Sequence, residues 1–212
     1  MKEQVARFLL SIGAVFLRPD EPFIWASGIK SPVYCDNRLI LSSPEGRLFI
    51  EEAIANLISE EFPECEAVIG TSTAGIPHAA IVASIMSLPM GYVRAKNKDH
   101  GRENRIEGRV REKEKVVVIE DLISTAGSVI DTVNALREAK AEVLCIISIF
   151  TYGMKKAGDR LKEANVRNIS LTDFDTVIHE AMKEGYIKKE DVKKLFAFRD
   201  NPEDESWIGG EK

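Results

Sequence analysis

At Val116-Val117-Val118-Ile119-Glu120-Asp121-Leu122-Ile123-Ser124-Thr125-Ala126-Gly127-Ser128 the chain runs from an apolar segment through two acids into a turn of small, hydroxyl-bearing residues. Four consecutive β-branched residues predict a short parallel strand buried on both faces, with Glu120 and Asp121 standing where that strand ends. Beyond the turn, Val129, Ile130, Val133 and Leu136 recur at helical spacing, so the turn opens directly into a helix. Such a turn presents unpaired backbone N–H groups and the positive end of a helix dipole, which suits a phosphate. Thr125 and Ser128 add hydroxyl donors, and Gly127 allows close approach to the backbone. Side by side, Glu120 and Asp121 would repel a phosphate; as acceptors they suit a sugar diol or a divalent metal. A ribose 5-phosphate satisfies both halves.

A strand, a turn and a helix with acids at the strand end are common by themselves. The whole ordered string, however, resembles the phosphoribosyl-pyrophosphate (PRPP) motif of type I phosphoribosyltransferases. A second stretch, Ser27-Gly28-Ile29-Lys30-Ser31-Pro32-Val33-Tyr34-Cys35-Asp36-Asn37-Arg38, has no helical period and by itself reads as a surface hairpin. It is similar to the N-terminal signature of the orotate phosphoribosyltransferases within that superfamily. A lysine near an aromatic side chain suits a flat anionic ring through charge pairing and stacking, which makes Lys30 and Tyr34 candidate base contacts.

A third stretch is marked by charge. From Ala95 to Glu114 the apolar side chains besides Ala95 are Ile106 and Val110, so no buried face is expected there. Arg94, Lys96, Lys98, Arg102 and Arg105 outnumber Asp99 and Glu103, and a long segment of this kind reads as a lid or an insert. The order Arg94, Lys98, His100, Gly101 is similar to the family's mobile catalytic loop.

Composition sets outer bounds. With 44% hydrophobic and 30% charged residues, and 29 basic against 34 acidic side chains, the chain reads as a soluble globular protein without a general nucleic-acid or membrane surface. Cys35, Cys65 and Cys145 form no paired metal or disulfide pattern, so reduced thiols and a cytoplasmic location are expected. The N-terminal pattern Val5, Phe8, Leu9 and Ile12 reads as an amphipathic helix rather than a signal peptide.

Other segments complete an alternating βα order. A helix is predicted from Pro44 to about Glu61, burying Leu48, Ile50, Ala53, Ile54, Leu57 and Ile58. Strands follow at Ala67–Gly70, Met90–Val93 and Val143–Phe150, and a helix at Ala79–Met86. Gly70 and Gly75 have Walker-loop spacing, but Ile76-Pro77 stands where Lys-Ser/Thr is required, so a P-loop is rejected. His78 reads as structural. Helices at Met154–Ala164, Phe174–Met182 and Glu190–Phe198, a strand at Val166–Leu171 and a loosely held tail from Arg199 finish the chain. The expected class is α/β, a parallel sheet flanked by helices with ligands at its carboxyl edge.

The resemblance implies a type I phosphoribosyltransferase fold in one domain over residues 1–212. It would have a core at about 41–150 and a small hood from about 1–40 with C-terminal elements. It implies transfer of the phosphoribosyl group from PRPP to orotate with release of pyrophosphate, in pyrimidine synthesis. PRPP would be held by Arg94, Lys98, His100 and Glu120 through Ser128, with Lys98, His100 and Asp121 catalytic. Ser124, Lys30 and Tyr34 would meet orotate. Mg²⁺ would be held mainly through PRPP, near Glu120 and Asp121, and the mobile loop would be shared across a homodimer. The alternatives are a purine-base phosphoribosyltransferase and a non-catalytic PRPP-sensing regulator, although no DNA-binding helix-turn-helix or basic patch is evident.

The chain departs from the pattern at Ala26 and Ala74, where many relatives have lysines, at Ala95, and near Tyr152, where an arginine meets the base. The carboxylate of orotate is then left to Lys30 and Arg38.

Overall fold

The computed structural model describes residues 1–25, 28–95 and 105–208. Helix α1 (Lys2–Ser11) leads into short strands β1 (Val15–Leu17), β2 (Phe23–Ile24), β3 (Lys30–Ser31) and β4 (Val33–Cys35), then a 3-10 helix at Asn37–Ser42. The βα alternation follows: α2 (Pro44–Glu61), β5 (Ala67–Thr71), α3 (Gly75–Met86), β6 (Met90–Val93), β7 (Ile106–Glu107), β8 (Lys115–Ile123), α4 (Gly127–Glu138) and β9 (Glu142–Thr151). Helix α5 (Lys155–Glu163), β10 (Asn168–Asp173), α6 (Phe174–Lys183), α7 (Asp191–Asp200) and a 3-10 turn at Ser206–Ile208 complete it.

Six strands form one sheet in the order β10-β9-β8-β5-β6-β7, parallel throughout except for the antiparallel β6–β7 edge. Val116, Val117, Val118 and Ile119 are fully buried. Alternate side chains point to opposite faces: Val117 and Ile119 join the core built with α1, α2, α3 and α6, whereas Val116 and Val118 join the core built with α4. Burying each such side chain stabilises the fold by about 1.5–3 kcal/mol, which is why an uninterrupted apolar run belongs at the centre of a covered sheet.

This strand order places the site. From β5 the chain moves through α3 to β6 on one side; from β8 it moves through α4 to β9 on the other. The crossovers diverge between β5 and β8, and a crevice opens at their carboxyl ends, the usual ligand position in an open α/β sheet. Short antiparallel pairs, β1 with β4 and β2 with β3, lie outside the main sheet.

Several expectations are corrected. Strand β8 does not stop before the acids: it continues to Ile123, with Glu120 paired to Ser148 and Ile123 to Thr151 on β9. The charged segment contains a two-residue strand, because β6 offers a free edge on which Val93 pairs with Ile106 and one buried isoleucine suffices. Leu48 is 48% exposed rather than part of the buried side of α2. Helix α3 starts at Gly75 rather than Ala79, since Pro77 lies in the first turn, where no backbone N–H is needed. The tail as far as Ile208 is docked, with Trp207 buried and its ring 5.9 Å from that of Phe198. Among the described residues no helix is long and apolar enough to cross a membrane.

Candidate active site

Glu120, near the end of β8, is almost wholly buried. Its Oε1 accepts from the backbone N–H of Asp121 (3.0 Å) and its Oε2 from Ser128 Oγ (3.3 Å), which ties the strand to the first turn of α4. Burial, and then the neighbouring Asp121, push the Glu120 carboxyl up to about 9. Asp121 is partly exposed, and its carbonyl accepts from Asn37 Nδ2 at 2.7 Å. Asn37 was not singled out from sequence as a site residue, because its partner lies 84 positions away.

The turn beyond the acids is shaped for an anion. Ala126 takes a left-handed conformation (φ 61°) before α4, and no side chain caps that helix. The N–H groups of its first turn are thus not consumed by a cap, and they carry the positive end of the dipole. Arg160 of α5 donates from Nη1 to Thr125 O (3.0 Å) and steadies the turn from outside. Its distance in sequence concealed that role. Leu122 and Ile123 are packing residues here, with Ile123 fully buried, while Ser124 and Thr125 are half-buried at the rim.

Across the crevice, the loop after β5 comes close to β8. A Cβ on Gly75 would fall 2.4 Å from Ile119 O, and one on Gly70 would fall 2.8 Å from Ile76 Cα. Glycine at both positions lets the start of α3 press against the motif strand. Thr71 Oγ1 is buried without a hydrogen-bond partner among the described residues, and Ser72 Oγ donates to Val93 O (2.5 Å). Thr71, Ser72, Arg105, Ser128 and Asp131 line one small cavity of about 60 Å³ between the two loops. His78 is buried with Nδ1 2.6 Å from Glu51 Oε1, a packing position consistent with its structural reading.

Arg94, at the end of β6, lies 3.1 Å from Glu107, and its backbone exchanges hydrogen bonds with Arg105 (2.9 Å each). Lys98 and His100 lie outside the described residues, as do Ala26 and Ser27. Among the described residues no group of three or more His, Cys, Asp or Glu could hold a metal ion.

A larger cavity of about 690 Å³ adjoins the turn, lined by Trp25, Lys30, Ser124, Thr125, Lys156 and the tail residues Pro202, Glu203 and Glu205. Lys30 is engaged there by Glu205 (2.7 Å). The Arg38 guanidinium donates from Nε and Nη2 to the two carboxylate oxygens of Asp36 (2.6 and 2.7 Å). Tyr34, on β4, packs against Phe23 with ring centroids 5.7 Å apart. Tyr152 is buried among Trp25, Phe150 and Phe174. The structure thus gathers Glu120 through Ser128 at one sheet edge with Thr71 and Ser72. It places Lys30 on the wall of the same cavity as Ser124, but already paired.

Comparison with known proteins agrees with this arrangement. The phosphoribosyl transferase domain family matches residues 40–184. Orotate phosphoribosyltransferase of Bacillus subtilis (strain 168) is 54% identical over 208 residues, 98% of this chain and 96% of that one. The enzyme of the same name from Halalkalibacterium halodurans is 52% identical over 98% of this chain and 99% of its own. The crystal structure of orotate phosphoribosyltransferase from Aeropyrum pernix superposes with a TM-score of 0.75 at 29% identity, covering 87% of this chain and 99% of that one. With the motif strand, the uncapped helix and the full-length likeness in agreement, the chain belongs to the orotate phosphoribosyltransferases of the phosphoribosyl transferase family.

Proposed function

We propose that the protein transfers the 5-phosphoribosyl group from PRPP to orotate, giving orotidine 5′-monophosphate and pyrophosphate in pyrimidine synthesis. The observation that carries this reading is the convergence of Glu120, Asp121 and the uncapped start of α4 at the carboxyl ends of β5 and β8. The 5-phosphate is assigned to the turn from Ser124 to Ser128, through first-turn N–H groups and hydroxyls. The ribose hydroxyls are assigned to Glu120 and Asp121, and the pyrophosphate to the Thr71–Ala74 loop, where the unpartnered Thr71 hydroxyl supplies a donor.

The bond from the anomeric carbon to pyrophosphate breaks as one to a ring nitrogen of orotate forms, and the proton that nitrogen carried passes to the departing pyrophosphate or to water. Negative charge grows on the leaving group, and Arg94, Lys98 and His100 are assigned to it; positive charge grows on the ribose ring, beside the two acids. The nucleophile is the base, so no enzyme nucleophile is needed. The charged segment around Lys98 is assigned the task of excluding water, which would otherwise capture the same cation.

The donor set fits a substrate-bound Mg²⁺. Two adjacent acids cannot form a protein cage, but Mg²⁺ commonly takes one or two carboxylates with phosphate and water oxygens. Glu120 and Asp121 would hold it beside the pyrophosphate, where it would neutralise charge on the leaving group. A homodimer sharing the Arg94–Gly101 segment, and a cytoplasmic location, belong to the same reading through the family resemblance.

The test is turnover of purified protein with Mg²⁺ and PRPP, offered orotate or, separately, adenine, guanine, hypoxanthine, xanthine or uracil. Loss of orotate absorbance in its own tube alone is expected. Consumption of a purine instead, or of no base, would overturn the reading.

A further inference from the structure

We infer that Lys156 reads the carboxylate of the pyrimidine acceptor, and so sets which base the site takes. The inference rests on the proposed reaction and names a residue for it. The cavity beside Ser124 has four charged side chains on its wall, Lys30, Lys156, Glu203 and Glu205. Lys30 and Glu205 neutralise each other at 2.7 Å. Lys156 has no carboxylate within ion-pair distance among the described residues and projects from the first turn of α5 into this space.

The nearby arginines are committed. Arg160 donates to Thr125 O, Arg199 is held by Asp175 and Asp200 (2.6 Å each), and Arg38 is held by Asp36. Lys155, next in sequence, lines a neighbouring cavity with Arg160 and Arg199 but not the one containing Ser124. An anionic ring entering beside Ser124 is therefore attracted at Lys156 and repelled at Glu203. That polarity orients it, and it favours a ring with a carboxylate over a neutral one. Lys156 is solvent-exposed, so its pull is a screened point charge, strong enough for discrimination and sensitive to salt.

Steady-state kinetics of the full-length protein with Mg²⁺, PRPP and orotate test this, comparing wild type, Lys156→Ala, Lys156→Arg and Lys155→Ala. Lys156→Ala is expected to raise the KM for orotate about tenfold while the KM for PRPP stays within twofold. Arginine should recover most of the loss, and Lys155→Ala should match wild type. Added KCl should raise the orotate KM of wild type more than that of Lys156→Ala. An orotate KM within twofold of wild type in Lys156→Ala, or an equal rise for PRPP, overturns the assignment alone. A wild-type protein that leaves orotate unconsumed overturns the proposed reaction and this assignment together.

Discussion

Ser128 Oγ donates to Glu120 Oε2 across 3.3 Å, joining the end of the motif strand to the first turn of the helix that follows it. The two groups that would grip opposite ends of a sugar phosphate are thereby fixed to each other before any ligand arrives. Preorganisation of this kind lowers the entropy cost of binding.

Glu120 makes this link pH-dependent. Its folded carboxyl is raised to about 9, so between the ordinary carboxylate range and 9 the folded protein holds a proton that the unfolded chain has released. The stability associated with that proton is complete below about 4.3 and is lost as pH rises through 9. Wild type should therefore lose stability between pH 6 and 9 relative to Glu120→Gln, by on the order of 4 kcal/mol, seen as a Tm gap that shifts by about ten degrees. Calorimetric Tm values at the two pH limits check it; parallel trends for the two proteins would contradict it. Ribose hydroxyls favour the charged carboxylate, so PRPP binding should also release protons and strengthen toward pH 9. Titration calorimetry in buffers of different ionisation enthalpy reads that release directly.

Thr71 carries a buried hydroxyl with no partner among the described residues. Thr71→Val removes it with little change in shape, so stability should stay level or rise by about 1 kcal/mol, because no hydrogen bond is broken. If the hydroxyl serves the pyrophosphate, the KM for PRPP should rise about tenfold in the same variant. Denaturant unfolding and initial rates separate the two effects, and loss of stability without a kinetic change would remove Thr71 from the site.

Gly75 sits where a Cβ would fall 2.4 Å from Ile119 O, a backbone atom that cannot swing aside. Gly75→Ala should cost about 1–3 kcal/mol, since α3 must back away from β8. It should also lower kcat/KM for PRPP, because the Thr71–Ala74 loop moves with the helix. Wild-type values in both assays would show that the close approach is dispensable.

Lys98 is assigned to charge that develops on the leaving group rather than to ground-state binding. Lys98→Ala should reduce kcat about a hundredfold or more and leave PRPP affinity within a few-fold, the signature of an interaction made in the transition state. Rapid-quench turnover with equilibrium PRPP binding checks this, and unchanged turnover would show that the segment is not catalytic.

Much of the fold was legible because local pattern and tertiary role coincide. Val116 to Ile119 read as a doubly buried strand, and the hydroxyl-rich turn before Val129 read as opening directly into a helix. Both belong to continuous sequence. What escaped depends on partners distant in the chain. Ile106 has no local period but finds the free edge of β6; Trp207 sits in a polar tail but packs on Phe198. Lys30 reads as a free cation until Glu205 is seen beside it, and Asn37 acquires meaning only through Asp121. The acids read as standing at the strand end because charge normally ends a buried strand; β9 extends alongside and keeps Glu120 paired with Ser148 and the strand running to Ile123.

A crystal structure with Mg²⁺ and PRPP bound tests the account most directly. It should show ribose hydroxyls within hydrogen-bond distance of the Glu120 and Asp121 carboxylates and the 5-phosphate on backbone N–H groups between Ser124 and Ser128. PRPP seated elsewhere, with those acids and that turn untouched, would contradict it.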